Sequence, residues 1–549
     1  MSNLLEKASI ITTPTAYSEG VLHSVKPEQT LGSELITNGD FATDSDWGKG
    51  TGWSISNNTA ISDGSTTSGS IISQTINIVE GKTYQVTVDV DSVDSGRIRF
   101  YSNFLGSGGQ ADITSSGAFT YNLKASETGG RNIGVQARDV GTQAVINSVS
   151  VKQLINADFT FTRGADLATR VNSSGNIESV GVDLPRIDYR GGCGSLLLEP
   201  QATNTATDSN DFTTGDIFVS SSDPSLSNVV LTSAQATSPD GNNNAWKLVD
   251  DNAGGTAQCG LNYFSTNVIS ENYNTVSLFV KKQGDNDWVY INNFGYDATS
   301  RSWFNISNGT LGTVASGHTA SIDDYGNGWY RIAITFTTEF DLAGSINIRL
   351  STSDGATNIL RDGTNGVYIY GLQAESHATR QHATSYIPTS GDIQTRAADS
   401  AIDAGSSDLI NSTEGVLYAE ISALSNELDG TYKVITLNNG IVDEYVLLGF
   451  TNINNIYASV GGTFISSLTP TDATDFHKVA IKYEDNNCKL FINGVQVGTI
   501  NTTATVPSGL DRLNFDSGLG GSPFDGNVKC VAVFQEALTD AELEALTTI

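Results

Sequence analysis

Several aromatic residues stand close in the sequence to amide or carboxylate side chains. Aromatic faces stack on the C–H groups of a sugar ring, and Asn, Asp and Gln side chains hydrogen-bond its hydroxyls. The chain has 549 residues, and its candidates for such stacking are Trp47, Trp53 and Tyr101, followed by Trp288, Tyr290, Trp303 and Tyr325. Asn292, Asn293 and Asp323 are polar neighbours of the later group. The alternative for each aromatic is core packing, where large aromatic side chains are common.

A pair of carboxylates that could cleave a glycosidic bond is the other chemistry to consider, and Asp323-Asp324 is the strongest candidate. Adjacent residues of a strand point to opposite faces, so these two would not flank one bond. No Gly-x-Ser-x-Gly motif organises a nucleophile, and no histidine has a partner at metal-binding spacing. The sequence therefore predicts a protein that is not an enzyme and has no cofactor or metal ion. A glycan depolymerase is the remaining catalytic alternative.

The chain is strongly acidic, with 60 acidic against 29 basic side chains and a formal charge of -31. We expect no nucleic-acid partner, because affinity for phosphate backbones depends on clustered Lys and Arg. An anionic membrane surface would repel the chain, and no stretch approaches the length of a membrane span. The first residues lack the basic leader and apolar run of a secretory signal peptide.

The cysteines show no spacing typical of a metal site or a disulfide framework. They are Cys193, Cys259, Cys488 and Cys530. We expect reduced thiols in a protein that folds in a reducing cytoplasm.

Alternation of apolar and polar residues with a period of two recurs along the chain and predicts an all-β protein. Tyr84, Val86, Val88 and Val90 should face one side of a half-buried strand. Asn493-Gly494 predicts a type I′ turn between strands 488–492 and 495–500, because this dipeptide tolerates positive φ angles.

One short helix is predicted near the C-terminus, from Leu538 to Leu546. Thr539 can cap it, and Glu542 stands three residues later, which completes the pattern of a capping box. The rest of the chain shows almost no helical periodicity.

Changes in composition and in apolar–polar alternation divide the chain into tandem antiparallel β-sandwiches of the jelly-roll type. The predicted segments are an extended N-terminal arm (1–32), a first jelly roll (33–153), a connector with short strands (154–203), a second jelly roll (204–378), a Pro-containing bridge (379–396) and a C-terminal sandwich (397–549). The arm contains Pro14 and Pro27 and lacks sustained alternation. We expect it to become ordered only when it docks on a partner.

Two parts of the chain resemble sugar-binding folds. Glu34–Phe41, followed by Trp47 and Trp53, is similar to the opening of jelly-roll carbohydrate-binding modules. Leu490–Gly494, then Val531–Phe534 with Leu538–Leu543, resemble laminin G and concanavalin-like sandwiches. Both groups contain many members that bind no sugar.

Jelly rolls of this kind often hold a structural calcium ion against a carboxylate of the last strand. In this chain Asn147 and Ser148 stand at the corresponding positions. The usual acidic ligand is therefore missing.

The segments that join the predicted modules resemble bacteriophage virion proteins of the head-spike and tail-fibre type. These segments are Phe159–Arg163, Leu184–Tyr189, Ser195–Gln201, Gly326–Arg331 and Ser385–Gly391, and Ile10–Tyr17 is similar as well. The resemblance implies a virion surface protein, synthesised in the host cytoplasm, that docks on other virion proteins through residues 1–32. It also implies a homotrimer that attaches to host surface polysaccharide. The alternative is a capsid decoration or cement protein that binds no sugar.

Overall fold

The structure is a computed structural model that describes residues 2–27, 30–79, 82–103, 111–165, 167–213, 226–265, 269–294, 300–338 and 344–549. Contacts separate two compact units, Pro27–Asn156 and the combination of Met1–Lys26 with Ala157–Ile549. Nearly all regular structure is antiparallel β, which confirms the predicted fold class of tandem β-sandwiches.

The N-terminal segment forms short elements that belong to the larger unit. They are α1 (Ser2–Leu5), β1 (Ile10–Thr12), β2 (Tyr17–Ser18) and β3 (Val21–Leu22).

The unit Pro27–Asn156 is a jelly roll of two facing sheets. Its strands are β4 (Thr30–Glu34), β5 (Gly48–Lys49), β6 (Trp53–Ser56), β7 (Thr59–Asp63), β8 (Ile71–Ile78), β9 (Thr83–Ser95), β10 (Ile98–Ser102), β11 (Gly117–Lys124), β12 (Gly129–Ala137) and β13 (Gln143–Ile155). One sheet has the order β10-β12-β8-β5, and the other has the order β11-β9-β13-β7-β6 with β4 also on β13. Tyr84, Val86, Val88 and Val90 of β9 are buried in the core between them, as the alternation predicted.

The predicted connector forms six short strands. They are β14 (Phe159–Thr162), β15 (Ala168–Val171), β16 (Ile177–Val180), β17 (Arg186–Asp188), β18 (Ser195–Leu198) and β19 (Ala202–Asn204). Several of them pair with strands that lie far away in sequence, as described below.

A second sandwich follows the connector. Its strands are β20 (Leu226–Ser227), β21 (Val229–Ala236), β22 (Ala245–Asp250), β23 (Thr256–Ala257), β24 (Gly260–Ser265), β25 (Tyr273–Gln283), β26 (Trp288–Phe294), β27 (Arg301–Asn305), β28 (Thr310–Leu311), β29 (Thr319–Asp324), β30 (Trp329–Phe336), β31 (Gly344–Ser351), β32 (Ile359–Leu360) and β33 (Gly366–His377). The sheet β20-β24-β31-β26-β27-β28 faces the sheet β21-β22-β33-β25-β30-β29 across an apolar core that includes Leu278, Val289 and Ile332.

The C-terminal sandwich contains the remaining elements. They are β34 (Gln394–Arg396), β35 (Ser400–Ile402), β36 (Glu414–Ser422), β37 (Lys433–Asn438), β38 (Tyr445–Phe450), β39 (Ile456–Val460), β40 (Thr463–Leu468), β41 (His477–Glu484), β42 (Cys488–Ile492), β43 (Val495–Asn501), β44 (Arg512–Asn514), β45 (Gly526–Phe534) and α2 (Asp540–Thr547). The sheet β17-β18-β45-β36-β41-β42-β43 packs against the sheet β40-β39-β38-β37-β44. The connector hairpin β17–β18 is thus part of this sandwich.

Two local predictions are confirmed here. Asn493 and Gly494 connect β42 and β43 with φ angles of 50° and 82°, as a type I′ turn requires. Thr539 caps α2 and forms the capping box with Glu542.

The expectation that residues 1–32 await a partner before ordering is wrong for the described part of that segment. β1 pairs with β45, with Ile10 opposite Val533, and β3 pairs with β14. Ile10 is 0% exposed and Leu22 1% exposed, in the core of the C-terminal sandwich. The reason is physical: β1 satisfies a stretch of the β45 edge whose backbone groups would otherwise be unpaired.

A buried ion network joins the connector to the chain around residues 385–399. We define it as Arg163, Arg186, Glu199, Arg396 and Asp399. Arg186 Nη1 lies 2.6 Å from Glu199 Oε2, and Arg396 Nη1 lies 2.9 Å from the same oxygen. Arg163 Nη1 lies 3.2 Å from Asp399 Oδ1, and Arg186 also pairs with Asp399. The connector and the chain around residues 385–399, which are far apart in the sequence, therefore share one buried cluster of charges.

Among the described residues, no helix combines the length and apolar character that a membrane span requires.

Candidate functional site

The aromatic candidates of the first jelly roll are mostly core residues. Trp47 and Trp53 are each 6% exposed and belong to the apolar core between the two sheets. Trp47 Nε1 donates a hydrogen bond to Asn38 O at 2.9 Å, which fixes its indole inward. The prediction that these two rings form a sugar platform is wrong, because neither presents a face to solvent. Tyr101 lies on β10 and is half-buried.

In the second sandwich, Tyr290 and Trp303 form a cross-strand pair on β26 and β27, with ring centroids 5.3 Å apart. The pair lies on the sheet face that points away from the apolar core. Both side chains are nevertheless buried, and Trp303 Nε1 donates to Ala356 O at 2.9 Å. They are therefore not an open stacking surface, contrary to the prediction. Trp288 is half-buried.

The same sheet face carries a row of amides beside this aromatic pair. Asn262, Asn347 and Asn292 are direct neighbours across β24, β31 and β26. Arg349 lies opposite Tyr290 and donates to Asn262 Oδ1. Asn292 and Asn293 are buried as well, so this polar row is an internal feature of the described structure.

Tyr325 lies at an open cavity of about 260 Å³, which we call the Tyr325 cavity. Its walls come from the connector, from the edge strand β29 with β30, and from the C-terminal sandwich. The predicted stacking residue Tyr325 and the predicted polar neighbour Asp323 both line this cavity.

The alternation of β29 explains why Asp323 and Tyr325 share one wall. Successive side chains of a strand point to opposite faces, so positions 319, 321 and 323 of β29 face the same way, and Tyr325 follows directly after the strand. Thr319, Ser321, Asp323 and Tyr325 all line the cavity. Asp324 points the other way, and its Oδ1 accepts a hydrogen bond from Gly326 N at 2.7 Å. The two adjacent carboxylates are thus separated by the strand, as predicted.

A tight turn between β29 and β30 holds the Tyr325 ring in place. Asn327 has a φ angle of 52°, and Trp329 N donates to Gly326 O at 2.9 Å. Phe279 packs edge-on against Tyr325, with centroids 4.8 Å apart and an interplanar angle of 86°. The ring is therefore held by the core on one side, and the residue as a whole is partly exposed.

The connector supplies charged groups to the opposite wall. Arg190 is exposed at the cavity wall, and the nearby Tyr325, followed by the carboxylates of Asp323 and Asp188, raises the pKa of its guanidinium. Arg190 therefore stays charged beside two acidic side chains. Its guanidinium offers several donors in a fixed fork to a ligand in the cavity.

The C-terminal sandwich closes the third side with hydroxyl, amide and carboxylate groups. Ser425, Asn426, Glu427 and Thr474 line the cavity. Asn426 Nδ2 donates to Asp472 Oδ1 at 2.9 Å, and Asn426 Oδ1 accepts from Ala473 N at 2.7 Å. Both ends of this amide are held by the protein, which orients the loop. Together the three walls offer hydrogen-bond donors and acceptors around one aromatic face.

Sequence reasoning missed Arg190 and the loop at 425–427. Nothing in the local pattern around either segment indicates a site, because each contributes only after the connector and the C-terminal sandwich have packed against β29. The arginine content of the connector was visible, but its charge partners lie far away in sequence.

The described residues hold no group of three or more His, Cys, Asp or Glu side chains arranged to bind a metal ion. Glu34, the first-strand acid of the jelly roll, has both oxygens engaged: Oε1 accepts from Val151 N at 2.8 Å and Oε2 from Ser150 Oγ at 2.6 Å. Asn147 donates to Asp89 Oδ2 at 3.3 Å. These residues do not fit a calcium ion between the first and last strands.

Residues 424–544 match the family model of the concanavalin A-like lectin/glucanases superfamily. This range lies within the C-terminal sandwich, so the resemblance to laminin G and concanavalin-like folds is confirmed for this part of the chain. No curated protein matches the chain.

Two of the solved structures to which the chain is similar resemble it only weakly. The CBM22-1-CBM22-2 tandem domain of Paenibacillus barcinonensis Xyn10C is 11% identical, covers 64% of this chain and 100% of its own, and has a TM-score of 0.22. A mutant Trypanosoma rangeli sialidase displaying trans-sialidase activity is 10% identical, with coverage of 98% and 96% and a TM-score of 0.20. Similarities this weak have no bearing on function.

Proposed function

We propose that this protein binds a saccharide in the Tyr325 cavity and does not cleave it. The observation that carries the proposal is that Tyr325, which is partly exposed, lines an open cavity together with Asp323 and Arg190. An aromatic face with fixed donors and acceptors around it is the arrangement that recognises a sugar ring.

The size of the cavity limits the ligand. Pockets for small molecules begin at roughly 300 Å³, and the Tyr325 cavity measures about 260 Å³. We therefore expect a single sugar ring inside it, with the rest of a glycan chain in solvent. The superfamily of residues 424–544 includes lectins by its description, which supports a sugar as the ligand.

Substitution of Tyr325 tests the proposal. We expect Tyr325→Ala to weaken glycan binding by about tenfold or more, because a buried aromatic contact at a binding site typically contributes more than ~1.4 kcal/mol. Asp323→Asn should weaken binding as well, because it removes a charged acceptor. Glycan-array screening followed by calorimetry on the best ligand measures both.

Tyr101→Ala is the matched control, since Tyr101 is half-buried in the other unit. Equal binding by the wild type and Tyr325→Ala, or loss of binding in Tyr101→Ala alone, would contradict the assignment. Release of reducing ends from a bound polysaccharide would instead favour the depolymerase alternative.

The wider role that we propose is attachment to host polysaccharide from the surface of a bacteriophage particle. The joining segments that resemble virion proteins support this proposal, and several contribute to the buried ion network, including Arg163, Arg186 and Glu199. A homotrimer would present several weak sites at once and gain avidity. Docking through residues 1–32 is part of the same proposal.

Antibody labelling of purified particles against residues 397–549, alongside glycan-array binding, separates the virion roles. Labelled particles with no array signal would favour a cement or decoration protein. Unlabelled particles would contradict the virion proposal and leave saccharide binding to be judged on the Tyr325 variants.

A further inference from the structure

A second cavity lies between the end of the second sandwich and the C-terminal sandwich, and we call it the His382 cavity. It measures about 470 Å³, within the usual range of ligand pockets, roughly 300–1,000 Å³. His377, Arg380 and His382 form one wall, and Tyr432, Lys433 and Asp525 form the other. His382 also lines the Tyr325 cavity, so the two cavities share a wall.

The cationic side chains of this cavity already have anionic partners. Lys433 Nζ lies 2.8 Å from Asp429 Oδ2 and donates to Asp429 Oδ1 at 2.9 Å. Arg380 Nη2 lies 3.3 Å from Glu375 Oε1. In each pair the carboxylate neutralises the cation, so no free cation remains on the cavity wall among the described residues.

Asp525 is different, because no described residue donates a hydrogen bond to its carboxylate or forms an ion pair with it. Burial raises the pKa of this carboxyl to about 7; Lys433 opposes the increase, whereas Asp429, Glu199 and Asp399 add to it. A carboxyl group in this position is stabilised by a cationic ligand, which would supply the missing partner.

His382 offers a second unsatisfied group. Its Nε2 is buried and has no hydrogen-bond partner among the described residues. Burial, helped by the nearby Arg380, lowers the pKa of His382 to about 4. At neutral pH the imidazole is therefore uncharged, and its Nε2 is free to accept or donate a hydrogen bond according to the tautomer. His377 differs, since its Nδ1 accepts from Arg380 N at 3.0 Å and from Thr379 N at 3.2 Å.

Tyr432 adds an aromatic wall. Its side chain is 44% exposed, and its ring packs against Tyr457 with centroids 5.7 Å apart and an interplanar angle of 65°. An exposed aromatic ring attracts a cation over its face and also stacks on a sugar ring.

We propose that the His382 cavity binds an amino sugar, whose protonated amine pairs with Asp525 and whose ring lies against Tyr432. An anionic sugar is disfavoured because the unpaired charge on the wall is a carboxylate. A neutral sugar would not supply the cation that stabilises the ionised form of this carboxyl. The inference shares with the proposed function only the choice of a saccharide, and it concerns different residues.

Pairing of the ligand's ammonium group with Asp525 couples binding to the release of a proton. Lys433, Asp429, Glu199 and Asp399 act electrostatically on the Asp525 carboxyl, and His377, Arg380, His382 and Tyr432 line the same cavity. Near pH 6 Asp525 is mostly protonated, while His382 remains neutral. A bound ammonium group favours the ionised carboxylate, so binding at this pH should release close to one proton from Asp525.

The experiment is calorimetry of the full chain with a glucosamine disaccharide at about pH 6, in two buffers of different ionisation enthalpy. We expect binding with proton release by the wild type. Asp525→Asn, which keeps the shape of the side chain, should lose the proton release and weaken binding about tenfold or more. Tyr432→Ala should weaken binding but retain the proton release.

The N-acetylated disaccharide is the ligand control and should bind at least tenfold more weakly, because it lacks the charge. Tyr101→Ala, in the other unit, is the protein control and should bind glucosamine disaccharide with unchanged affinity and proton release. Proton release that depends on Asp525 reports this cavity alone, so failure of the Tyr325 site does not affect this result. Equal affinity for the two disaccharides, or unchanged binding by Asp525→Asn, would overturn the proposal. Equally tight binding of a simple alkylamine would show that the ring is not recognised and would overturn it as well.

Discussion

Arg186 and Glu199 form a charged hydrogen bond of 2.6 Å in the interior, with side chains 0% and 4% exposed. Arg396 reaches the same carboxylate oxygen at 2.9 Å. Burial alone would raise the pKa of Glu199, but Arg396 and Arg186 lower it below its usual range. Because Arg186 and Glu199 lie in the connector and Arg396 follows the second sandwich, the shared carboxylate holds these two segments together.

Neutralising Glu199 should therefore destabilise the larger unit. Glu199→Gln leaves two buried guanidinium groups without their shared partner, and we expect a loss of about 3–5 kcal/mol in the free energy of unfolding. Because the folded-state pKa of Glu199 is lowered, its contribution is present above about pH 4 and disappears as pH falls further. Guanidinium denaturation at neutral and acidic pH measures both effects.

The control is Asp112→Asn, which breaks partly exposed ion pairs in the other unit. It should leave the unfolding of the larger unit unchanged. A Glu199→Gln chain as stable as the wild type at neutral pH would show that the network does not hold these segments together.

Asp525→Asn should raise the free energy of unfolding, whereas Glu199→Gln should lower it. A carboxyl whose folded-state pKa is raised contributes its full stability below its unfolded pKa of 3.8, and this stability is lost as pH rises to about 7. Because asparagine does not ionise, the variant keeps this stability as pH rises. We expect similar stability for wild type and variant near pH 4, and a variant more stable by about 2 kcal/mol at pH 8.

Unfolding curves at several pH values give this difference directly. A gap between the two proteins that shrinks as pH rises would contradict the electrostatic account of Asp525.

Because the N-terminal segment packs into the C-terminal sandwich, we expect the apolar side chain of Ile10 to stabilise the fold. Ile10→Ala should cost about 2–4 kcal/mol, because Ile10 is 0% exposed within the core of the C-terminal sandwich. Val25→Ala is the matched control in the same segment, since Val25 is 51% exposed, and it should change stability by less than about 0.5 kcal/mol.

Deletion of residues 1–26 extends this prediction. It uncovers the part of β45 that pairs with β1, and an uncovered strand edge promotes association between chains. We expect larger species by size-exclusion chromatography. A monodisperse, fully stable truncated chain would show that β1 is dispensable for the fold.

The four free cysteines should differ sharply in reactivity. Cys193 is exposed, whereas burial raises the pKa of Cys259 to about 11 and that of Cys530 to about 12, and it also raises the pKa of Cys488. Only the thiolate reacts quickly. A thiol reagent should therefore label Cys193 rapidly in the native protein and the other three only after unfolding. Fast native labelling of Cys488 would contradict its burial.

The sequence by itself determined the local structure. Alternation predicted the strands, and Asn493-Gly494 and the Thr539–Glu542 capping box predicted their turn and helix start, because each depends on backbone preferences of adjacent residues. The alternation of β29 also predicted that Asp323 and Asp324 face opposite ways.

Only the tertiary structure decided which faces are buried and which charges meet. Alternation with a period of two shows that Tyr290 and Asn292 share a face, but it does not show what covers that face. The sequence likewise made both Trp47 and Tyr325 candidates for sugar stacking, although Trp47 is buried and Tyr325 lines a cavity. Arg186 and Asp399 are 213 residues apart, and no local pattern pairs them. Burial and charge pairing depend on which distant strands pack together, and a single sequence does not specify that through neighbouring residues.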